Sequence, residues 1–230
     1  NYLDPSSMPR LKEVVERELI ARHMAALAHM EHSGILAMLE DDKYDDLARA
    51  YALFRRVRSP DGLGVIRDLM VEHVKGHGVR LVTEVATSPH EPLVYVRALL
   101  ALRDKYAAII ERSLGADKLF YNALNAAFET FVNTCARSPE YLSLLVDELM
   151  RRGMRGTSEE DVDVQLDKVV MLFRYMQEKD VFEKWYKQHL AKRLLGGRSL
   201  SDEIERQMIQ KLKVECGYQF TSNLEQMFID

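Results

Sequence analysis

Residues 161–195, DVDVQLDKVVMLFRYMQEKDVFEKWYKQHLAKRLL, decide how the whole chain is read. In the first half, Val162, Leu166, Val169, Val170, Phe173 and Met176 recur at the i, i+4, i+7, i+8 spacing of one buried helix face. Thr157 and Glu160, just upstream, have the S/T-x-x-E spacing of a capping box. Glu159, Glu160 and Asp161 place negative charge where a helix dipole is positive. A break near Lys179-Asp180 restarts the pattern, with Asp180 as the expected N-cap. Phe182, Trp185, Tyr186, His189, Leu190 and Leu194 then form the apolar side of a second helix, which Gly196-Gly197 ends.

Working outward, glycine (11) and proline (6) are scarce and fall mostly between periodic segments, so the chain reads as almost wholly helical. A first helix is expected over 10–31, with Val14, Leu19, His23, Leu27 and Met30 alternating between faces, and a short extra turn over 35–40. Leu47, Tyr51 and Phe54 mark a helix over 44–57. Ser59-Pro60 is a cap followed by proline, opening a helix that runs through Gly76 and Gly78 to about Ala86. Residues 93–114 form a long helix of roughly 33 Å at 1.5 Å per residue, after the loop marked by Pro89 and Pro92. Helices over 117–135 and 138–152 follow, the second opened by Ser138-Pro139-Glu140, and Gly153 to Gly156 reads as a hinge or boundary. Ser201 is expected to cap a helix over 202–216. Ser222 and Glu225 have capping-box spacing ahead of the last one.

Composition narrows the function classes. With 47% hydrophobic and 30% charged residues, 230 residues can bury a core as one large domain or two small ones. A net charge of −4 and a pI near 6.0 argue against a dedicated nucleic-acid binder. Cys135 and Cys216 stand far apart without metal-ligand spacing, as small buried hydrophobes suited to a reducing compartment. No apolar run approaches the roughly 20 residues that cross a bilayer. The chain begins at Asn1 without an initiator Met and stops at Asp230 inside a helical pattern, so it is expected to be part of a longer protein.

Candidate chemistry is sparse. His73 and His77 are four apart on a helix, which suits a metal ion. Val74 stands where an HExxH motif needs Glu, so ordinary surface or half-buried histidines are the favoured reading. His23, His29 and His32 fall on different faces. Asp41-Asp42 and Asp45-Asp46 are paired carboxylates flanking a loop, with no partner His or Lys in the pattern, and read as a solvated turn. Gly62-Leu63-Gly64 and Gly196-Gly197-Arg198-Ser199 match no phosphate loop. Lys184, Lys187, Lys192, Arg193 and Arg198, interleaved with Trp185 and Tyr186, could form a nucleic-acid or membrane patch. Helical spacing favours a solvated face with the aromatics turned inward.

The residues also carry a resemblance. LDK-x-x-x-LFR, then KDVFE-x-x-YK-x-x-LAKRLL from Lys179 to Leu195, and ECGYQFTSNLEQMF from Glu215 to Phe228, resemble in order the blocks that open the C-terminal domain of the cullin family. VVERELIARHM (Val14 to Met24) and RSPEYLSL (Arg137 to Leu144) resemble the subgroup that works with BTB adaptors. Trp185 stands where the family usually has Tyr, and Gln226 where it usually has Gly. The resemblance implies an all-α, elongated stack of five-helix cullin repeats followed by the start of a helical bundle. Residues 1–42 would end the second repeat, 43–155 form the third, and 156–230 begin the C-terminal domain.

It also implies a non-catalytic scaffold of a RING-type ubiquitin ligase in cytoplasm and nucleus, partnered by a BTB-type adaptor and a RING subunit. The family's adaptor-binding first repeat, RING-binding region and neddylated lysine have no matching positions here. No catalytic, cofactor-binding or metal residues are therefore implied, and no cofactor, nucleic acid or membrane partner. The alternatives are a helical rod of a membrane-tethering complex, which would lack the KDVFE and LAKRLL blocks, and a helical enzyme, which would need a convergent constellation.

Overall fold

The computed structural model describes residues 7–58, 61–87, 92–153, 156 and 158–228, and among these there is no β-strand. The α-helices are α1 (Ser7–Ala28), α2 (Ile35–Glu40), α3 (Tyr44–Phe54), α4 (Gly62–Thr87), α5 (Pro92–Ser113), α6 (Lys118–Val132), α7 (Ser138–Glu148), α8 (Glu159–Tyr175), α9 (Lys179–Leu195), α10 (Asp202–Cys216) and α11 (Tyr218–Gln226). A π-helical turn, Leu149–Gly153, extends α7. The all-α expectation holds, as do the short α2 turn and the run of α4 through both of its internal glycines.

The helices gather into two compact units. One comprises Asn1–His77 and Arg103–Phe128, the other Gly78–Leu102 and Glu129–Asp230, so α4, α5 and α6 each contribute to both. In the first unit, Leu39, Leu47, Phe54, Ile66, Met70, Val74, Tyr106, Ile109, Phe120 and Phe128 are buried. Tyr51 packs edge-on against Phe120, with ring centroids 6.0 Å apart. The sequence pattern leaves the inward face of α1 open, and the structure selects it. Val14, Leu19, Leu27 and Met30 are exposed, Leu19 by 53%, while Ile20, Met24 and Ala28 at i, i+4, i+8 are buried. Apolar residues on both sides of α1 leave its periodicity without contrast.

In the second unit, α7 packs against α8 and α9, and α10 packs against α8 and α11. Leu142, Leu145, Leu166, Val169, Phe173, Phe182, Tyr186, Leu190, Met208 and Leu212 form its core. Helices before Gly153 and after Gly156 both belong to this unit. Met154 and Arg155 lie outside the described residues.

Helix ends explain where the elements start. Ser158 caps α8, accepting from the Asp161 backbone N–H at 3.2 Å and donating to the Asp161 carboxylate at 2.7 Å. Thr157, the expected cap, lies outside the described residues, as do Ser59-Pro60 and Pro89. Ser201 caps α10 as expected, accepting from Glu203 N–H. Asp180 is not a cap: α9 begins at Lys179 with Glu178 before it. Ser138 lies inside α7, after Arg137, and its hydroxyl is buried between the Tyr95 hydroxyl and the Val132 carbonyl, 3.0 Å from each. Ser222 sits mid-helix in α11, because Gly217 at φ +83° turns the chain directly from α10 into Tyr218.

The two glycines inside α4 are not equivalent. Nothing lies within 4 Å of a Cβ built on Gly76, whereas one on Gly78 would meet the buried Phe131 ring at 2.4 Å. Gly76→Ala is expected to stabilise by about 0.5–1 kcal/mol. Gly78→Ala should instead destabilise by about 1–3 kcal/mol, since overpacking outweighs the helix-propensity gain. Melting curves of the two variants that moved in the same direction would contradict this packing.

Candidate functional site

The feature of the second unit that its apolar pattern does not announce is a buried ionic joint. Arg193, in the last turn of α9, has a side chain only 1% exposed. Its Nε and Nη2 donate to the two carboxylate oxygens of Glu205 at 2.6 and 2.9 Å, and its Nη1 donates to Asp147 at 2.8 Å. One planar guanidinium thus ties α7, α9 and α10 together, with the fork geometry that suits bidentate carboxylate pairing. Glu205 is 0% exposed and lies in the acidic first turn of α10, where the helix dipole favours its charge. Ser199 donates a further hydrogen bond to it at 2.9 Å.

Asp147 also accepts from Arg151 at 3.3 Å, so two cations face two carboxylates. Burial pulls the Arg193 pKa down, but the Glu205 carboxylate outweighs it and holds the guanidinium above its ordinary value. The Tyr186 ring lies 5.7 Å under the guanidinium, and burial beside Glu205 raises its phenol well above the usual range. A second tie between α7 and α9 joins Ser143 and His189 at 2.9 Å, and burial lowers the His189 pKa. Asn133, just past α6, clips the α8–α9 turn: its amide donates to the Tyr175 carbonyl at 2.8 Å and accepts from Gln177 N–H at 2.9 Å. The Leu200 N–H reaches the Met150 carbonyl at 3.0 Å, holding the α9–α10 connection to the π turn.

These groups fix helices in place. The serine–histidine pair among them, Ser143 and His189, is buried on both sides, and what the groups do together is resist reorientation of α7, α9 and α10. Outside the joint, pairs such as Arg174 with Glu215, or Lys211 with Asp163 and Asp167, are solvent-accessible and contribute little each.

Sequence-level candidates separate accordingly. Lys184, Lys187, Lys192 and Arg198 are exposed while Tyr186 is buried and Trp185 half-buried, in keeping with a solvated face. Arg193 leaves that set for the interior. Asp41 and Asp42 do have partners, correcting the expectation that they lack them: Lys43 at 2.7 Å and Lys105 at 3.0 Å. Gly62 and Gly64 lie in the first turn of α4, and Gly196 and Gly197 follow the end of α9. His23, His29 and His32 are exposed. Cys135 and Cys216 are free thiols, half-buried rather than fully buried. His73 and His77 share one side of α4, where the structure adds Glu40 from α2, a residue the local sequence pattern could not bring in. Among the described residues, no helix is long and apolar enough to cross a membrane.

Comparison with known proteins covers the same ground independently. A family model described as the cullin alpha solenoid domain matches residues 1–230. The chain is 56% identical over 230 residues to Cullin-3B of Arabidopsis thaliana, covering 100% of this chain and 31% of that protein. It is 54% identical over 230 residues to Cullin-3 of Dictyostelium discoideum, covering 100% of this chain and 30% of that protein. Cullin-1 of Oryza sativa subsp. japonica matches at 38% over 246 residues, with 100% of this chain and 33% of that protein covered. The chain spans about a third of the length of these relatives. An all-α chain of packed helices that carries the ordered LDK, KDVFE, LAKRLL and ECGYQF blocks, and that a cullin model matches from end to end, belongs to the cullin family.

Proposed function

We propose that this chain is a scaffold segment of a cullin-RING ubiquitin ligase, of the subgroup similar to cullin-3, connecting a BTB-type substrate adaptor to a RING subunit without itself making or breaking bonds. The observation that carries the proposal is the end-to-end cullin match, with 54–56% identity to cullin-3 relatives. On this reading residues 43–155 are the third five-helix repeat, supported by the five α-helices from Tyr44 to Glu148. Residues 1–42 end the second repeat, and 156–230 open the C-terminal domain. The proposed setting is cytoplasm and nucleus. Such a scaffold works by holding substrate and charged E2 together, raising their effective concentration. The buried Arg193 joint suits that task, because it locks helix positions without offering reactive groups.

The test is reconstitution of the full-length parent ligase. A BTB protein and a RING subunit should co-purify with it, and substrate ubiquitination should require both. Failure to retain any RING-type subunit would overturn the proposal. A Gly/Ser insertion of about ten residues after Gly156 behaves as a flexible coil. It is expected to leave substrate ubiquitination essentially unchanged, because α7 stays bound to α8 and α9 whatever the length of the connection. Loss of substrate ubiquitination with adaptor and RING still bound would mean that the connection, not the helix contacts, sets the geometry.

A further inference from the structure

We propose that Glu40, His73 and His77 form a three-ligand site for a first-row divalent cation of the zinc class, clamping α2 to α4 within the first compact unit. Their ligand atoms all lie within 4.8 Å of one another. The two histidines are one helical turn apart on α4, the spacing that points two imidazoles at one ion. Their rings are 4.5 Å apart, centroid to centroid. Glu40 Oε2 sits 2.6 Å from His73 Nε2 and 3.9 Å from His77 Nε2. Around a tetrahedral ion with bonds of about 2.0–2.1 Å, ligand atoms stand roughly 3.3 Å apart. One of these separations must open and the other close by about as much. The 60%-exposed Glu40 side chain is free to make that adjustment.

Hydrogen bonding fixes which nitrogens are available. The Nδ1 of His77 lies 3.0 Å from the His73 backbone carbonyl, which can only accept, so Nδ1 carries the proton. The lone pair of His77 is therefore on Nε2, facing the Glu40 carboxylate. A cation placed between these two acceptors, 3.9 Å apart, would satisfy both. His73 is held from behind: its Nδ1 is bonded to the hydroxyl of Tyr106, a fully buried residue on α5. Because a hydroxyl can donate or accept, Tyr106 tolerates a His73 that donates Nε2–H to Glu40 and one that turns a bare Nε2 to an ion. This is the supporting contact that metal-bound histidines characteristically have. Two imidazoles and one carboxylate leave the fourth position to water, a donor set that suits zinc and its neighbours rather than calcium or magnesium.

The experiment uses the full-length parent chain, purified without its RING subunit and stripped with chelator. It is titrated with Co2+, read by visible absorption, and with Zn2+, read by calorimetry and thermal melting. The comparison protein is the Glu40→Gln/His77→Gln double variant, whose changes fall on an exposed and a half-exposed side chain. The wild type is expected to bind one more equivalent than the variant and to gain melting temperature with micromolar Zn2+, while the variant gains none. Tyr106→Phe should keep the stoichiometry and weaken binding about 10–100-fold. Equal equivalents in wild type and double variant, with equal melting in chelator, would overturn the site.

Discussion

Replacing Arg193 with methionine is expected to destabilise the second compact unit by about 3–5 kcal/mol, the usual cost of removing one partner from a buried ion pair. Methionine keeps much of the volume of the arginine stem, so most of the loss is electrostatic. Glu205 would remain fully buried beside the Ser199 hydroxyl, without its guanidinium, and Asp147 beside Arg151. Lysine should rescue poorly, since a single ammonium cannot reproduce two bonds to Glu205 and one to Asp147 in one plane. The apolar triple replacement Arg193→Met, Glu205→Leu and Asp147→Leu should recover most of the loss, because the desolvation cost disappears along with the attraction. Urea unfolding followed by helix content distinguishes these outcomes. An Arg193→Met variant within about 0.5 kcal/mol of wild type would be behaving like an ordinary surface substitution, and the joint would then not hold the three helices.

Arg193 also marks the limit of what local pattern can reveal. The α-class, the number of helical segments between Tyr44 and Glu148, the Ser201 cap and the buried side of α8 all follow from spacing within a few residues, and the structure agrees. Arg193 sits in a run of basic residues that suits a helix C-terminus; its spacing from Phe182, Tyr186, His189 and Leu190 puts it on the buried side of α9, but that spacing does not say which partners it meets there. What draws it inward is Glu205, twelve residues on, and Asp147, 46 residues back. Glu40 meets His73 across 33 residues, and Asn133 reaches Gln177 across 44. Such pairings depend on how helices pack, which one sequence does not state. In α1, apolar residues stand on both sides, Val14, Leu19 and Leu27 exposed and Ile20 and Met24 buried, and only the packed structure chooses between the sides. The family resemblance carried further than the periodicity because unusual ordered blocks hold more information than an apolar repeat.

Phe173→Ala is expected to cost about 3–5 kcal/mol, through lost transfer energy and a cavity its neighbours can only partly fill. Phe173 is fully buried on α8. Its ring centroid lies 4.9 Å from that of Phe182 on α9 and 5.8 Å from that of Phe220 on α11, and the Lys179 ammonium stands 5.5 Å away on its face. Truncation therefore removes two aromatic contacts, each contributing about 0.5–1.5 kcal/mol beyond simple burial, as well as the ring that three helices share. Leu190→Ala, buried on α9, should cost about 2–5 kcal/mol by the cavity mechanism alone. Val164 supplies the control: it lies on α8 but is 49% exposed, so Val164→Ala should stay within about 0.5 kcal/mol. The three variants are compared by urea unfolding and by amide exchange in α8 and α9. Phe173→Ala should speed exchange in both helices, because the contact it deletes lies between them, while Val164→Ala should leave α9 untouched. Equal stability of Phe173→Ala and Val164→Ala would mean that the face read from 161–176 is not the one that holds α8 to α9.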